Sequence, residues 1–318
     1  MFTNAILLGL LFTYLQRFVI MRRLQVSILY RLDIFKSQSL GYKTSVYALS
    51  GQVRSLYSYA MNFNDKVIFV TGGSSGIGAA IAVKFAAHGA KVAIVGRNET
   101  KLKNVSVECE RSGSKPLIII ADVARDGDAD KAISATITHF GKIDVLVNNA
   151  GITGYSSIVT NDTMVLFDRI MSVNLRAAVY ITHLTVPYLI ETKGNIINVS
   201  SIASTCALSK GHYAYCTSKA ALDHFSRCIA LELAPKGVRV NTVNPGPVKT
   251  DFVENMRTLN AYSDDVWEKL KTIMPLKRIG NSEEIADLVI FVASDNAGSV
   301  TGSSFFSDNG SLVRGAFE

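Results

Sequence analysis

The hydrophobic positions of this chain fall into short, nearly unbroken runs separated by longer stretches of helical periodicity. From Lys66 onward the runs are "KVIFVT", "KVAIV", "PLIIIA", "IDVLVN", "NIINVS" and "VRVNTV". They are rich in Val and Ile and do not alternate with polar residues, which is the pattern of parallel strands covered on both faces. Between them, residues 77–88, 98–111, 128–140, 168–191 and 214–234 carry apolar residues at helical spacing. Strand alternating with helix predicts a doubly wound parallel sheet in a three-layer α/β/α sandwich with right-handed crossovers. No internal repeat and no second folded unit show in the pattern. The expectation is one catalytic domain over residues 61–318 behind an N-terminal extension over residues 1–60.

Composition changes this picture mainly at the front. The chain has 318 residues and a formal net charge of +7, which by itself would suggest a nucleic-acid partner. Residues 1–64 hold seven basic groups (Arg17, Arg22, Arg23, Arg31, Lys36, Lys43, Arg54) against one acid, Asp33. The remainder is nearly balanced, with 26 basic and 25 acidic residues, so a phosphate-backbone footprint is not expected there. Residues 5–15 form an apolar run too short to span a bilayer unless Gln16 and Arg17 enter the helix. A secretory signal lacks its leading basic residues and cleavage site; a mitochondrial presequence fits the arginine content, but the arginines point to different sides of a helical wheel. Against these targeting readings stands a second start at Met61, just ahead of the first strand. The catalytic domain is expected in the cytoplasm, with a membrane-anchored or mitochondrial location as the alternative. Cys109, Cys206, Cys216 and Cys228 show no CxxC pair and no metal-ligand spacing. No metal site is expected.

Directly after the first strand comes "TGGSSGIG", residues 71–78, and then a helix. Glycines let a backbone turn tightly and approach a pyrophosphate, and the helix N-terminus offers unpaired amides. The pattern is that of a Rossmann-like dinucleotide site, with Gly72, Ser74, Ser75, Gly76, Ile77 and Gly78 at the phosphates. Where an acid would bind the ribose 2′-hydroxyl, at the end of the second strand, the chain has Gly96 followed by Arg97. An arginine suits a 2′-phosphate, so NADP is expected, with NAD as the alternative.

Tyr215 and Lys219 are four residues apart in a helical segment and so share a face. A phenol ordinarily titrates near 10, and an adjacent ammonium would lower that value and make a general acid/base. Tyr213 is about 240° round the helix from Lys219 and is left to packing or to a pocket wall. Ser200 and Ser201 end a strand at its carboxyl edge, where a hydroxyl can hold a carbonyl oxygen beside the tyrosine.

Residues 64–311 resemble the compact, single-domain members of the short-chain dehydrogenase/reductase (SDR) family. The matching motifs are "TGGSSGIG" at 71–78, "ADV" at 121–123, "NNAG" at 148–151, "VNL" at 173–175, "NVSS" at 198–201, "YCTSK" at 215–219 and "NPGPVKT" at 244–250. The resemblance implies a catalytic tetrad of Asn174, Ser201, Tyr215 and Lys219. In that family the tyrosine passes the proton, the serine orients the oxygen, the lysine binds the nicotinamide ribose, and the asparagine holds a relay water. It also implies adenine contacts from Asp122 and Val123, a cofactor cleft lined by Asn148, Ala150 and Gly151, and nicotinamide contacts from Pro245, Gly246, Val248 and Thr250. The spacing from Ser201 to Tyr215 is one residue longer than usual in the family, which leaves Ser200 and Ser201 both open as the substrate-facing serine. "SDNGS" at 307–311 stands where relatives show an aspartate and paired glycines.

The implied activity is NADP(H)-dependent interconversion of a ketone and a secondary alcohol on a small molecule, in a homodimer or homotetramer, under a lid over residues 250–280 that includes Phe252, Met256 and Trp267. Three alternatives are a non-catalytic nucleotide-binding scaffold, an NAD-dependent alcohol or steroid dehydrogenase, and a sugar-nucleotide epimerase. The intact tetrad argues against the first and the glycine spacing against the last.

Overall fold

The computed structural model describes residues 61–250, Phe252 and residues 265–313. Residues 1–60, with their targeting readings, and much of the expected lid, Met256 included, lie outside the described residues. Seven strands form one parallel sheet: β1 (Val67–Thr71), β2 (Lys91–Gly96), β3 (Leu117–Ile120), β4 (Val145–Asn148), β5 (Asn195–Val199), β6 (Arg239–Pro245) and β7 (Ser304–Ser307). Their order is β3-β2-β1-β4-β5-β6-β7, and every pairing is parallel. The order reverses between β1 and β4, so the crossovers diverge there and leave a crevice at the strands' carboxyl ends.

The helices are α1 (Gly76–Ala87), α2 (Glu99–Ser112), α3 (Asp126–Phe140), α4 (Thr163–Met171), α5 (Ala177–Thr192), α6 (Tyr213–Leu233), α7 (Asp265–Ile273) and α8 (Ser282–Ala293). On one face, Ile81 and Phe85 of α1 and Ile285, Val289 and Ile290 of α8 pack on Ile68, Val92 and Ile94. On the other, Ile133 of α3, Ile181 and Leu189 of α5 and Leu233 of α6 pack on Phe69, Ala93, Leu146 and Ile196. Successive strand residues face opposite layers, and both layers are apolar, which is why the strands read as continuous Val/Ile runs. At the amino edge, the buried Asp144 carboxylate accepts the Val67 amide at 2.8 Å and draws in the Lys66 and Lys142 ammoniums. That carboxylate pins β1 to β4.

The structure departs from the sequence expectation in two places. β7 is a seventh strand that "SFFS" does not announce, being four residues long and half Ser. Residues 168–191, expected as one helix, are interrupted by a π-helical turn over Ser172–Arg176, and such turns concentrate at functional sites.

Candidate active site

The crevice at the strand ends is a cavity of about 1160 Å³. At one end the turn after β1 carries the chain into α1. Gly72 has φ +65°, and a Cβ there would sit 2.9 Å from the Ala150 Cα, so glycine alone lets the turn approach the neighbouring strand end. Asn149 locks this junction: its Nδ2 donates to the Thr71 and Gly72 carbonyls at 3.0 and 3.2 Å. The N-terminus of α1 has no side-chain cap, so its first amides are left for an acceptor in the cavity, which Ser74, Ser75, Gly76 and Ile77 line. That geometry fits a pyrophosphate.

Arg97, Lys101 and Arg169 line the cavity, and among the described residues the one acidic residue lining it is Asp122. A Cβ on Gly96 would stand 3.2 Å from the Ser74 Cβ, so the packing leaves little room for an acid there. Val123, Ala150 and Gly151 also line the cavity, as do Pro245, Gly246, Val248 and Thr250.

At the other end stand Ser201, Tyr215 and Lys219. α6 starts at Tyr213 and buries Tyr215 and Lys219 one turn apart against the sheet. The Lys219 Nζ donates to the Val199 carbonyl at 2.9 Å and lies 5.9 Å from the Tyr215 ring centre. Burial lowers the Lys219 ammonium to about 8, opposed by Asp223. Burial also raises the Tyr215 phenol to about 12, with Ser201 acting the other way. The sequence expectation of a phenol lowered by its lysine is therefore reversed in the bare protein, because desolvation of the phenolate is the larger influence. The phenol is held as an acid at neutral pH.

Ser200 and Ser201 both line the cavity, and Ser201, through its hydroxyl, favours the ionised phenol against burial. Its Oγ also accepts the Ala203 amide at 3.1 Å, while the Ser200 hydroxyl is turned to the Lys219 main-chain carbonyl at 3.4 Å. The loop between Ser201 and Tyr215 is exposed over residues 207–210. Tyr213 is packing: its hydroxyl donates toward Thr163 at 3.2 Å and its ring stacks near Phe167.

Three residues expected at the site do not line the cavity. Gly78 faces inward, where a side chain would collide with the Gly72 carbonyl; it lets α1 sit against the turn. Asn148 ends β4 pointing away, its Nδ2 donating to Asn198 at 2.9 Å and Thr182 at 3.2 Å, because neighbouring strand positions face opposite sides. Asn174 sits behind Gly151, its amide spent on the Ile152 main chain at 2.8 and 2.9 Å and on the Ser218 hydroxyl at 3.0 Å. It braces the π turn against α6.

Other cavity residues carried no signal in the sequence. His212 lines the cavity beside Tyr215, its Nδ1 2.7 Å from the Ser209 hydroxyl, and burial lowers its imidazole below the usual value. Phe252 and Trp267, which the sequence placed in the expected lid, close the same end together with Leu270, with the Phe252 ring 5.8 Å from that of Tyr215. Under the opposite rim, "SDNGS" makes a turn in which Asn309 and Gly310 both have positive φ. Asparagine tolerates that conformation.

Residues 72–311 match the family model described as enoyl-(acyl carrier protein) reductase. The chain is similar to 2-(R)-hydroxypropyl-CoM dehydrogenase of Xanthobacter autotrophicus, 37% identical over 76% of this chain and 97% of that protein. It is also similar to L-xylulose reductase of Caenorhabditis elegans, 37% identical over 78% and 96%. Among solved structures, a short-chain dehydrogenase/reductase of unknown function from Caenorhabditis elegans, determined with cofactor, superposes with a TM-score of 0.73 at 33% identity, over 80% of this chain and 98% of that one.

Proposed function

Since the chain belongs to the short-chain dehydrogenase/reductase family, whose members are oxidoreductases of alcohol and carbonyl groups using nicotinamide cofactors, we propose that it interconverts a ketone and a secondary alcohol with NADP(H). The observation that carries this reading is the convergence of Ser201, Tyr215 and Lys219 at one end of a cavity whose other end has an open helix N-terminus. A bound nicotinamide supplies or takes the hydride. Tyr215 donates its phenolic proton to the carbonyl oxygen in reduction and takes it back in oxidation. Ser201 orients that oxygen and stabilises the charge that develops on it. Lys219 binds the nicotinamide ribose from a place where it is buried. Asn174 braces the site from behind rather than lining it.

NADP is favoured by Arg97 and Lys101 beside the position where an acid would select NAD. Toward the reacting end Ile202, Leu208, Phe252, Trp267 and Leu270 give an apolar wall beside the polar Ser209 and His212, which suits an uncharged carbonyl substrate. One experiment covers the reading. Purified full-length protein and Tyr215→Phe are titrated with NADPH and NADH, then assayed by nicotinamide absorbance on a panel of ketones and secondary alcohols. The variant should bind NADPH like the wild type and lose about 10³-fold or more of turnover. Retained turnover would overturn the chemistry, and tighter NADH binding the cofactor.

A further inference from the structure

Helix α6 turns a polar edge to the sheet. Tyr215, Lys219, Asp223 and Ser226 are all buried along it. Asp223 has no part in the chemistry described above, yet it is a carboxylate only 4% exposed. Its Oδ2 accepts from the Asn244 Nδ2 at 2.8 Å, and its Oδ1 has no partner among the described residues. Burying a carboxylate with an unsatisfied oxygen is costly unless a nearby positive charge compensates it. One helical turn away is the buried Lys219 ammonium, bonded to a neutral carbonyl and with no carboxylate at ion-pair distance among the described residues. Each buried charge lacks what the other supplies.

We propose that Asp223 is a positioning residue of the active site, the counter-charge that keeps the Lys219 ammonium protonated while it is buried. The inference rests on the role given to Lys219 above. The carboxylate is fixed by Asn244, whose orientation is itself set because its Oδ1 accepts the Thr242 hydroxyl at 2.7 Å. The same Asn244 amide reaches the Ser201 carbonyl at 3.2 Å and the Ser204 hydroxyl at 3.0 Å, so the carboxylate is tied to the loop that carries Ser201.

The direction of the Lys219 shift agrees: burial lowers it, and Asp223 acts against burial. The charged side chains on the elements packed around α6 are paired elsewhere or exposed, with Arg169 in the wall of the same cavity and Lys236 just beyond the far end of the helix. Arg176 of the π turn pairs with Asp126 at 2.5 Å, Arg239 of β6 donates to the Val292 and Val300 carbonyls at 3.0 and 3.2 Å, and Asp168 and Arg169 of α4 are exposed. Strand β5 carries none. Of the remaining titratable neighbours, burial raises the Tyr215 phenol and the Cys206 thiol and lowers the His212 imidazole, so that it favours the neutral form of each.

The test reads the lysine directly, without cofactor or substrate. Folded full-length protein is labelled competitively with acetic anhydride from about pH 6 to about pH 10, and the Lys219 and exposed Lys103 peptides are quantified by mass spectrometry. In Asp223→Asn the Lys219 midpoint should fall by roughly half a unit to one unit while that of Lys103 stays put. An unmoved Lys219 midpoint overturns the inference, and it does so whether or not Tyr215→Phe upholds the reaction. If Asp223→Asn does not fold, Asp223→Leu is compared with Lys219→Met/Asp223→Leu by thermal melting. Recovery in the double variant supports a charge pair, because an apolar replacement of both members removes the uncompensated charge; no recovery refutes it.

Discussion

The two faces of the sheet are built on different principles. Where α1 and α8 meet it, the packing is mainly apolar: Ile81, Phe85, Ile285, Val289 and Ile290 lie on β-branched strand residues, and no side chain among these depends on direction. Polar contacts enter at the last turn of α8, where Asn195 and Arg239 donate to the Val292 and Ala293 carbonyls. Where α6 and the π turn meet it, a line of buried polar groups runs through the layer. Asn148 donates to Asn198, Asn198 to Ser226 at 2.7 Å, Asn174 to Ser218, Lys219 to Val199, and Asn244 to Asp223. Apolar contact tolerates small rearrangement because its energy follows area and fit. A buried hydrogen bond tolerates none, because a displaced donor leaves an unsatisfied group in a place without water. The chemistry sits on the face where position is enforced.

The difference can be broken at three depths. Phe85→Ala on the apolar face should cost about 3–5 kcal/mol in denaturant unfolding, with turnover per folded molecule unchanged; a parallel loss of kcat would show that the apolar layer also sets the site. Asn198→Ala should cost less, about 1–3 kcal/mol, because it takes one acceptor from the buried Asn148 amide and the donor from the Ser226 hydroxyl, leaving them only Thr182 and the Leu222 carbonyl. It should also lower kcat, since Val199, the next residue, holds Lys219. Wild-type turnover in that variant would erase the distinction between the faces. Ile290→Val, a single methyl on the apolar side, should shift unfolding by only about 0.5–1.5 kcal/mol and leave kinetics alone; it calibrates the insensitivity of that layer.

Much of this was legible in the order of residues, for physical reasons that also mark where legibility stopped. Six strands announced themselves by continuous Val and Ile, the edge strand β3 included, whereas β7, at the other edge, reads as Ser-Phe-Phe-Ser. The break in residues 168–191 was invisible because an Asn at position 174 is unremarkable until Ile152 and Ser218 are brought to it from elsewhere in the chain. Tyr215 and Lys219 were readable from spacing, since the helix itself fixes their relation. Which asparagine of "NNAG" faces the cavity was not: it depends on where β4 ends, and the structure turns Asn149 toward the glycine turn and Asn148 away. His212, Lys101 and Arg169 reach the cavity through tertiary folding alone, and the phenol's upward shift follows from a burial that no spacing reports.

The reversal of strand order between β1 and β4 also has a consequence in time. The hydrogen bond from the Val67 amide to Asp144 joins residues 77 positions apart, and the far half of the crevice waits for β5, α6 and β6. Contacts between such distant residues must overcome loop closure before they reward it, and they form slowly. A chain emerging residue by residue would complete its phosphate turn early and still have no crevice until more than half of it had been made. The glycine turn is therefore the first part of the cavity to be synthesised and among the last to be of use.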